Sequence, residues 1–268
     1  MDGYAPIISA VITHLPSESG YHAQRFEVMR CSLETMRKNA GVDCQTLVWD
    51  NGSFPKWTNW LRYEYKPDYL ILSQNVGKSI ARASLIRMLP PETILNVSDD
   101  DMFYYPNWFK HQIKVLEIYP NVGLVSGWPV RTQFRFANQS TIKWGEENKC
   151  LDYGRFITEQ EERDFCTSIG REYENFHVEY TKDDLDARLI YKGVKAYATG
   201  HHCQFVCKAG VLAPYTDFHK AAMISERPFE QKVDNAGLLR LTTCARLTRH
   251  IGNILDDDLR KLWQGTKL

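Results

Sequence analysis

Thr93-Ile94-Leu95-Asn96-Val97-Ser98-Asp99-Asp100-Asp101-Met102-Phe103 decides how the rest of the chain is read. A short apolar, β-branched run ends in three consecutive carboxylates, and a helical pattern opened by Pro106 follows. Apolar runs of this length between turn residues are buried central strands. Alternation carried to the strand's end puts Asp99 and Asp101 on one side and Asp100 on the other. Two carboxylates a few ångströms apart repel each other, at high cost in a low-dielectric crevice. A divalent cation relieves that repulsion, and oxygen ligands suit magnesium or manganese carrying phosphates. In open α/β sheets, ligands gather beyond the carboxyl ends of the strands, where this triplet falls. An isolated Asp run is more often a solvated acidic turn. The strand in front of it and the pattern upstream favour a site.

Upstream, Pro6 to Thr13 reads as a first buried strand. From Tyr21 to Asn39 the residues Phe26, Met29, Leu33 and Met36 recur at helical spacing, with Gly41 where a C-cap belongs. Gln45 to Trp49 is a second strand, stopping at Asp50-Asn51-Gly52-Ser53. Strand, helix, strand in this order is one parallel βαβ unit. Trp57 to Tyr65 forms a short helix, and Tyr69 to Leu72 a third strand that runs into Gln74-Asn75-Val76-Gly77-Lys78. Ser79 to Met88 is helical until Pro90-Pro91 break it. After the Asp triplet come a helix, Trp108 to Ile118, and a strand, Val122 to Ser126.

Beyond Trp128 regularity weakens, and Glu146 to Asp186 is charge-rich, with Glu159 to Asp164 reading as a solvated helix face. Order returns at Val194 to Ala198 and at His201-His202-Cys203-Gln204-Phe205-Val206-Cys207. That second stretch carries zinc-type residues, but C-x₃-C on a strand is not the usual zinc knuckle. Ser225 to Leu241 reads as a helix with Pro228 in its first turn, and a tail helix starts near Asp256.

A chain of 268 residues, 43% hydrophobic, buries one large core or one core with a lobe attached. Lys+Arg and Asp+Glu balance at 33 each, so nothing points to a nucleic-acid partner. No apolar run reaches the roughly 18 residues of a membrane span. Met1 to Ser9 has neither a basic n-region nor a long apolar stretch, so no secretory signal is expected there. Seven scattered cysteines favour reduced thiols and a cytoplasmic location.

Together these pieces resemble a GT-A fold glycosyltransferase, most of all the inverting family 2 enzymes. The resemblance rests on the strand leading into Thr13, on Asp50-Asn51-Gly52-Ser53, and on the Asn75-x-Gly77 turn with Arg82 behind it. Asp99-x-Asp101 continues it, as do Val233-Asp234 with Leu238 and Arg240 following, and His250-Ile251-Gly252-Asn253. It covers Pro6 to Val130 and Gly200 to Asn253 and leaves Arg131 to Thr199 unmatched.

The resemblance implies a Rossmann-like α/β/α sandwich with a mostly parallel central sheet, all of 1–268 being one domain. Residues 1–130 form the nucleotide-sugar half, 131–199 a variable acceptor-side region, and 200–268 the acceptor half. The implied donor is a nucleoside-diphosphate sugar, and the acceptor a glycan or lipid-linked hydroxyl, the latter met at a membrane surface without insertion. The implied cofactor is Mn2+ or Mg2+, held by Asp101, Asp99 and His250, with Asp99 and Asp100 also near the donor. A nitrogen ligand tilts the choice to manganese, and Asn253 is the residue expected to orient His250. Thr13, Asp50 and Asn75 line the nucleoside pocket, and Lys78 and Arg82 hold the diphosphate. Each also has a plain reading: Asp50 as a turn residue, Lys78 and Arg82 as exposed helix charges, His250 as a packed histidine.

Inversion needs a base for the acceptor hydroxyl. Asp234 matches the family's carboxylate; Val233 stands where the family more often has a second acid, and Glu230 is the reserve. Glu230 and Asp234 share a helix face, and solvated helix acids are the alternative. Three rivals stand beside this reading. A retaining GT-A transferase differs in product anomer. A nucleotidyltransferase wants a Gly-rich basic loop where His14-Leu15-Pro16-Ser17-Glu18 stands. A catalytically silent carbohydrate-binding protein needs no metal.

Overall fold

The computed structural model describes residues 5–216 and 227–266. Strand β1 (Ile7–Thr13), helix α1 (Arg25–Lys38) and strand β2 (Gln45–Asn51) form the parallel βαβ unit read from the sequence. Helix α2 (Pro55–Trp60), opened by its proline, runs through a π-turn at Leu61–Tyr65 to β3 (Tyr69–Ser73). Helix α3 (Lys78–Met88), β4 (Ile94–Ser98), the short β5 (Met102–Tyr104), α4 (Trp108–Ile118) and β6 (Val122–Ser126) follow.

The stretch without sequence regularity is ordered. It holds α5 (Gln139–Glu147), β7 (Leu151–Gly154), α6 (Glu159–Ser168), α7 (Tyr173–Phe176), β8 (Asp186–Tyr191) and β9 (Val194–Tyr197). The chain closes with β10 (Gln204–Lys208), α8 (Ala209–Leu212), α9 (Arg227–Asn235), β11 (Leu239–Thr243), β12 (Thr248–His250) and α10 (Asp257–Thr266).

Ten strands make one sheet in the order β3-β2-β1-β4-β10-β6-β11-β9-β8-β7, and β12 pairs with β5 in a separate ribbon. Strands β1 to β4, β6, β8 and β11 point one way and β7, β9 and β10 the other. Both faces are covered, as the alternation along β1 requires. Val11 packs with Met29 and Leu33 of α1 and Trp108 of α4, whereas Ile8, Ala10 and Ile12 pack with Ala81, Leu85 and Ile86 of α3. The chain is thus an α/β sandwich with a mostly parallel central sheet.

Two elements depart from the sequence reading. The helix expected over Ser225 to Leu241 begins, at 225–226, outside the described residues, and its end is split into α9 and β11. Gly237, at a left-handed φ of 74°, makes the break. Its amide donates to the Asp234 carbonyl, and that of Leu238 to the Val233 carbonyl, the Schellman pattern that ends a helix. The acidic run of α6 is not a solvated face throughout. Glu162 and Asp164 are buried, the first against Arg131, the second against Arg246 and Arg249. Among the described residues no helix is long and apolar enough to cross a membrane, and the seven cysteines are free thiols.

Candidate active site at the acid turn

Strand β4 stops at Ser98, three residues earlier than alternation through the triplet assumes, so Asp99 to Asp101 form a turn into β5. The Asp99 amide donates to the Cys203 carbonyl at 2.8 Å, which ties the turn to the start of β10. The residue that stands apart is therefore Asp99, not Asp100 as alternation along a strand would have it. Asp99 faces α3, with Lys78 Nζ at 2.6 Å and Arg82 Nη2 at 3.8 Å. Asp100 and Asp101 face α1, sharing the guanidinium of Arg25.

Arg25, unmarked in the sequence, sits at the first turn of α1 and is buried. It donates to Asp100, to Asp101 at 2.9 Å and to the Gly252 carbonyl at 3.2 Å. Gly252 adopts φ 76°, and a side chain there would collide with the Ser168 carbonyl, so only glycine lets this loop close over α6. Burial works against the charge on Arg25, but Asp100 and Asp101 outweigh it and hold the guanidinium protonated.

His250, on β12, reaches the same turn. Its Nε2 lies 3.4 Å from Asp101 Oδ2, although 250 and 101 are far apart in sequence. Nδ1 lies 2.9 Å from Ser168 Oγ, whose own proton is given to the Phe165 carbonyl at 2.7 Å. Ser168 can then only accept, so Nδ1 carries the proton and Nε2 is left towards Asp101. Ser168, at the end of α6, supplies the orienting contact expected of Asn253. The ring of Trp128 lies parallel to that of His250, 6.0 Å away at 12°. Burial disfavours the imidazolium, yet Asp101 beside it raises the His250 pKa. Burial likewise acts to raise Asp101, and His250 and Arg25 together pull it well below the carboxylate range. Asp100 shifts the other way, its burial outweighing Arg25.

Can these residues hold a cation? Asp99 Oδ1 and Asp101 Oδ1 are both buried without a hydrogen-bond partner. Buried carboxylate oxygens are costly to leave unpaired. Asp101, 3.4 Å from His250 Nε2, makes with it the hard oxygen and borderline nitrogen pair that suits Mn2+. Asp101 and His250 are adjacent and fit a cation as two of its ligands, whereas Asp99 is turned to Lys78 and Arg82, and among the described residues the ligand atoms of the three do not gather within 4.8 Å. A tighter cluster of ligand-type atoms is made by His201, His202 and Cys203, all within 4.8 Å. There, burial and then Asp99 push the Cys203 thiol well up, and the trio offers three ligands where a structural zinc site takes four.

The nucleoside-side residues divide. Thr13 is fully buried, its Oγ1 accepting from Trp57 Nε1 at 3.1 Å. Asp50 is buried too, and both oxygens are used, one by the Ser53 amide at 3.1 Å and one by Thr58 Oγ1 at 2.6 Å. That is the turn-residue arrangement. Asn75 stays at the surface with its Nδ2 3.2 Å from His14 Nε2, and His14 Nδ1 is 3.0 Å from the Asn51 carbonyl. His14, Asn51 and Asn75 thus make the polar rim at the carboxyl ends of β1 to β3, two of them unpicked by sequence reasoning. The His14 amide also donates to Asp100 at 3.0 Å, joining this rim to the acid turn.

On α9 the two acids part company. Asp234 accepts from the amides of Gln139 and Ser140 at 3.2 and 2.8 Å and from Ser140 Oγ at 2.7 Å, capping α5 from outside. Glu230 is buried between Arg240 Nη2 and His202 Nδ1, each 3.2 Å from its Oε1. Neither is a solvated helix acid.

No protein-family model matches the chain, and no curated protein matches it in sequence. Solved structures do resemble it. The inositol-1-phosphate CTP transferase from T. maritima matches over 98% of this chain and 97% of its own, with TM-score 0.53 and 12% identity. Likeness at that identity is likeness of fold. The mannosyltransferase PcManGT from Pyrobaculum calidifontis, in complex with GDP-Man and Mn2+, is 20% identical over 51% of this chain, with TM-score 0.38. The match spans only 41% of that mannosyltransferase. Mannose-6-phosphate isomerase from Helicobacter pylori matches over 78% of this chain and 74% of its own, at 18% identity and TM-score 0.42.

Proposed function

We propose that the chain is a metal-dependent GT-A glycosyltransferase of the inverting type. It moves a hexose-type sugar from a nucleoside-diphosphate sugar to a hydroxyl of a glycan or lipid-linked acceptor. The observation that carries this reading is the meeting of Asp101 and His250 at the carboxyl edge of the sheet, 3.4 Å apart. Asp101 Oδ1, and Asp99 Oδ1 two residues before it, are buried without a hydrogen bond. Asp101, His250 and Asp99 would hold Mn2+ or Mg2+, which when bound neutralises the charge growing on the departing diphosphate without transferring a proton.

The chain's own residues supply the rest. Arg25 locks the acid turn to the Gly252 loop, so Asp101 and the His250 segment keep a fixed spacing. Lys78 and Arg82, which pair with Asp99, would bind the diphosphate oxygens. His14, Asn51 and Asn75 receive the nucleoside, while Thr13 and Asp50 support that rim from beneath. The proton acceptor belongs to the Glu230 side of the cleft, since the lone pairs of Asp234 are spent on α5. Free thiols throughout suit a reducing, cytoplasmic setting.

A nucleotidyltransferase is the second reading, favoured by the full-length fold likeness to a CTP transferase. Such an enzyme needs free amides after the first strand to cradle phosphates. Here the His14 amide is given to Asp100 and that of Leu15 to Ser53 Oγ. Calorimetric titration with UDP, GDP, dTDP and CDP, with and without Mn2+, tests the proposal. One of the four is expected to bind at least about tenfold tighter with Mn2+ present. Equal binding of all four with and without metal refutes it.

A further inference from the structure

Glu230, His202 and Arg240 come together from three elements that the sequence separates. His202 lies in the turn leading into β10, Glu230 on α9 and Arg240 on β11. Arg240 is fully buried and donates to the carbonyls of Phe136, Ala137 and Gly200 as well as facing Glu230. Its guanidinium is therefore fixed in place, with Glu230 Oε1 3.2 Å from Nη2. The Glu230 oxygen that faces the Arg240 guanidinium is an acceptor, so the Nδ1 of His202, 3.2 Å from the same Oε1, is the donating nitrogen. Nε2 keeps its lone pair. Glu230 is nearly inaccessible, but the His202 side chain is 26% exposed. The imidazole, not the carboxylate, is the member of the pair a substrate can touch. It also stands at the right edge: the His202 carbonyl accepts from Arg82 Nη2 at 3.4 Å, and the Cys203 carbonyl accepts from Asp99.

We propose that His202 is the general base of the transfer, with Glu230 and Arg240 as positioning residues; this rests on the glycosyltransferase reading above. As the acceptor oxygen bonds to the anomeric carbon, the bond from that carbon to the diphosphate oxygen breaks, and the diphosphate leaves with the electron pair. The acceptor's hydroxyl proton passes to His202 Nε2. The resulting imidazolium is stabilised through Nδ1–H by Glu230 and later returns its proton to water. Near the ring are the His201 imidazole, stacked 4.7 Å from it, and the Cys203 thiol, while Arg240 pairs with Glu230 and Arg82 donates to the His202 carbonyl.

The test uses the full chain with Mn2+ and a panel of UDP-glucose, UDP-galactose, GDP-mannose and dTDP-glucose. Release of nucleoside diphosphate is followed with water as acceptor. His202→Ala is expected to lower kcat by about 100-fold or more with KM nearly unchanged, and added imidazole to restore part of the loss. Glu230→Gln, which keeps an acceptor but loses the charge, should lower kcat less. The double variant should be no slower than His202→Ala, because the two act as one unit. Retention of kcat within about threefold in His202→Ala overturns the assignment, as does loss of turnover in Glu230→Gln or Asp234→Asn beyond that in His202→Ala. If wild type turns over none of the four donors and binds no nucleotide with Mn2+, it is the glycosyltransferase reading that fails.

Discussion

Asp101→Ala is expected to remove the manganese-dependent part of nucleoside-diphosphate binding, weakening it by at least about 100-fold. Loss of a residue that merely orients a ligand costs about 10–100-fold in metal affinity, and Asp101 is proposed as the ligand itself. Its Oδ2 is shared by Arg25 and His250, while its Oδ1 is buried and unpaired. Without metal the two proteins should bind nucleotide alike, or the variant slightly better, because a negative charge beside the phosphates has gone. Arg25 keeps Asp100 as a partner, so the variant should fold, with an unchanged circular dichroism spectrum. Asp101→Asn, which conserves size, should lose metal-dependent binding just as Ala does. Metal-dependent tightening that survives in both variants would falsify the ligand role.

Arg131→Met should cost about 3–5 kcal/mol of stability, the scale found when one partner of a buried ion network is removed. Arg131 donates from Nε and Nη2 to Asp186 at 2.7 and 3.2 Å, from Nη1 to Glu162 at 2.6 Å and from Nη2 to the Ile157 carbonyl at 2.7 Å. Asp186 is completely inaccessible and Glu162 nearly so. Taking the guanidinium away leaves Asp186 only the amides of Phe156 and Ile157, and Glu162 only a histidine at 3.7 Å. Two buried carboxylates are then uncompensated. A denaturant titration should show the midpoint falling with the slope unchanged. A loss under about 1 kcal/mol would mean the network is already wet. The region matters to the site as well, since α6 bears Ser168, the partner of His250.

Much of the sheet was legible because its strands are short apolar runs closed by turn residues. The bounds of α4 and β6 agree with the spacing of Trp108 to Ile118 and Val122 to Ser126. Legibility failed where a residue's role depends on a partner distant in the chain. Arg25 carries no local signal: it reads as one more charge near a helix start, and only the fold brings it to Asp100 and Asp101. Asp50 was assigned a substrate contact by resemblance, yet Ser53 and Thr58, a few residues on, take its oxygens. Asp234 goes to a helix end formed by residues 139 and 140, which no pattern connects to it. The strand carrying the acids was drawn too long because alternation cannot see where a turn begins. Gly237, after Asn235 and Ala236, is the local sign in the sequence that α9 ends there.

The proposed cation sits between the acid turn and His250, and manganese reports its own ligands. Electron spin echo spectroscopy of the Mn2+–nucleoside diphosphate complex should show modulation from a directly bound nitrogen, absent in His250→Gln. Tight metal-dependent binding whose spectrum carries no such modulation, or keeps it unchanged in His250→Gln, would contradict the seat proposed for the cation.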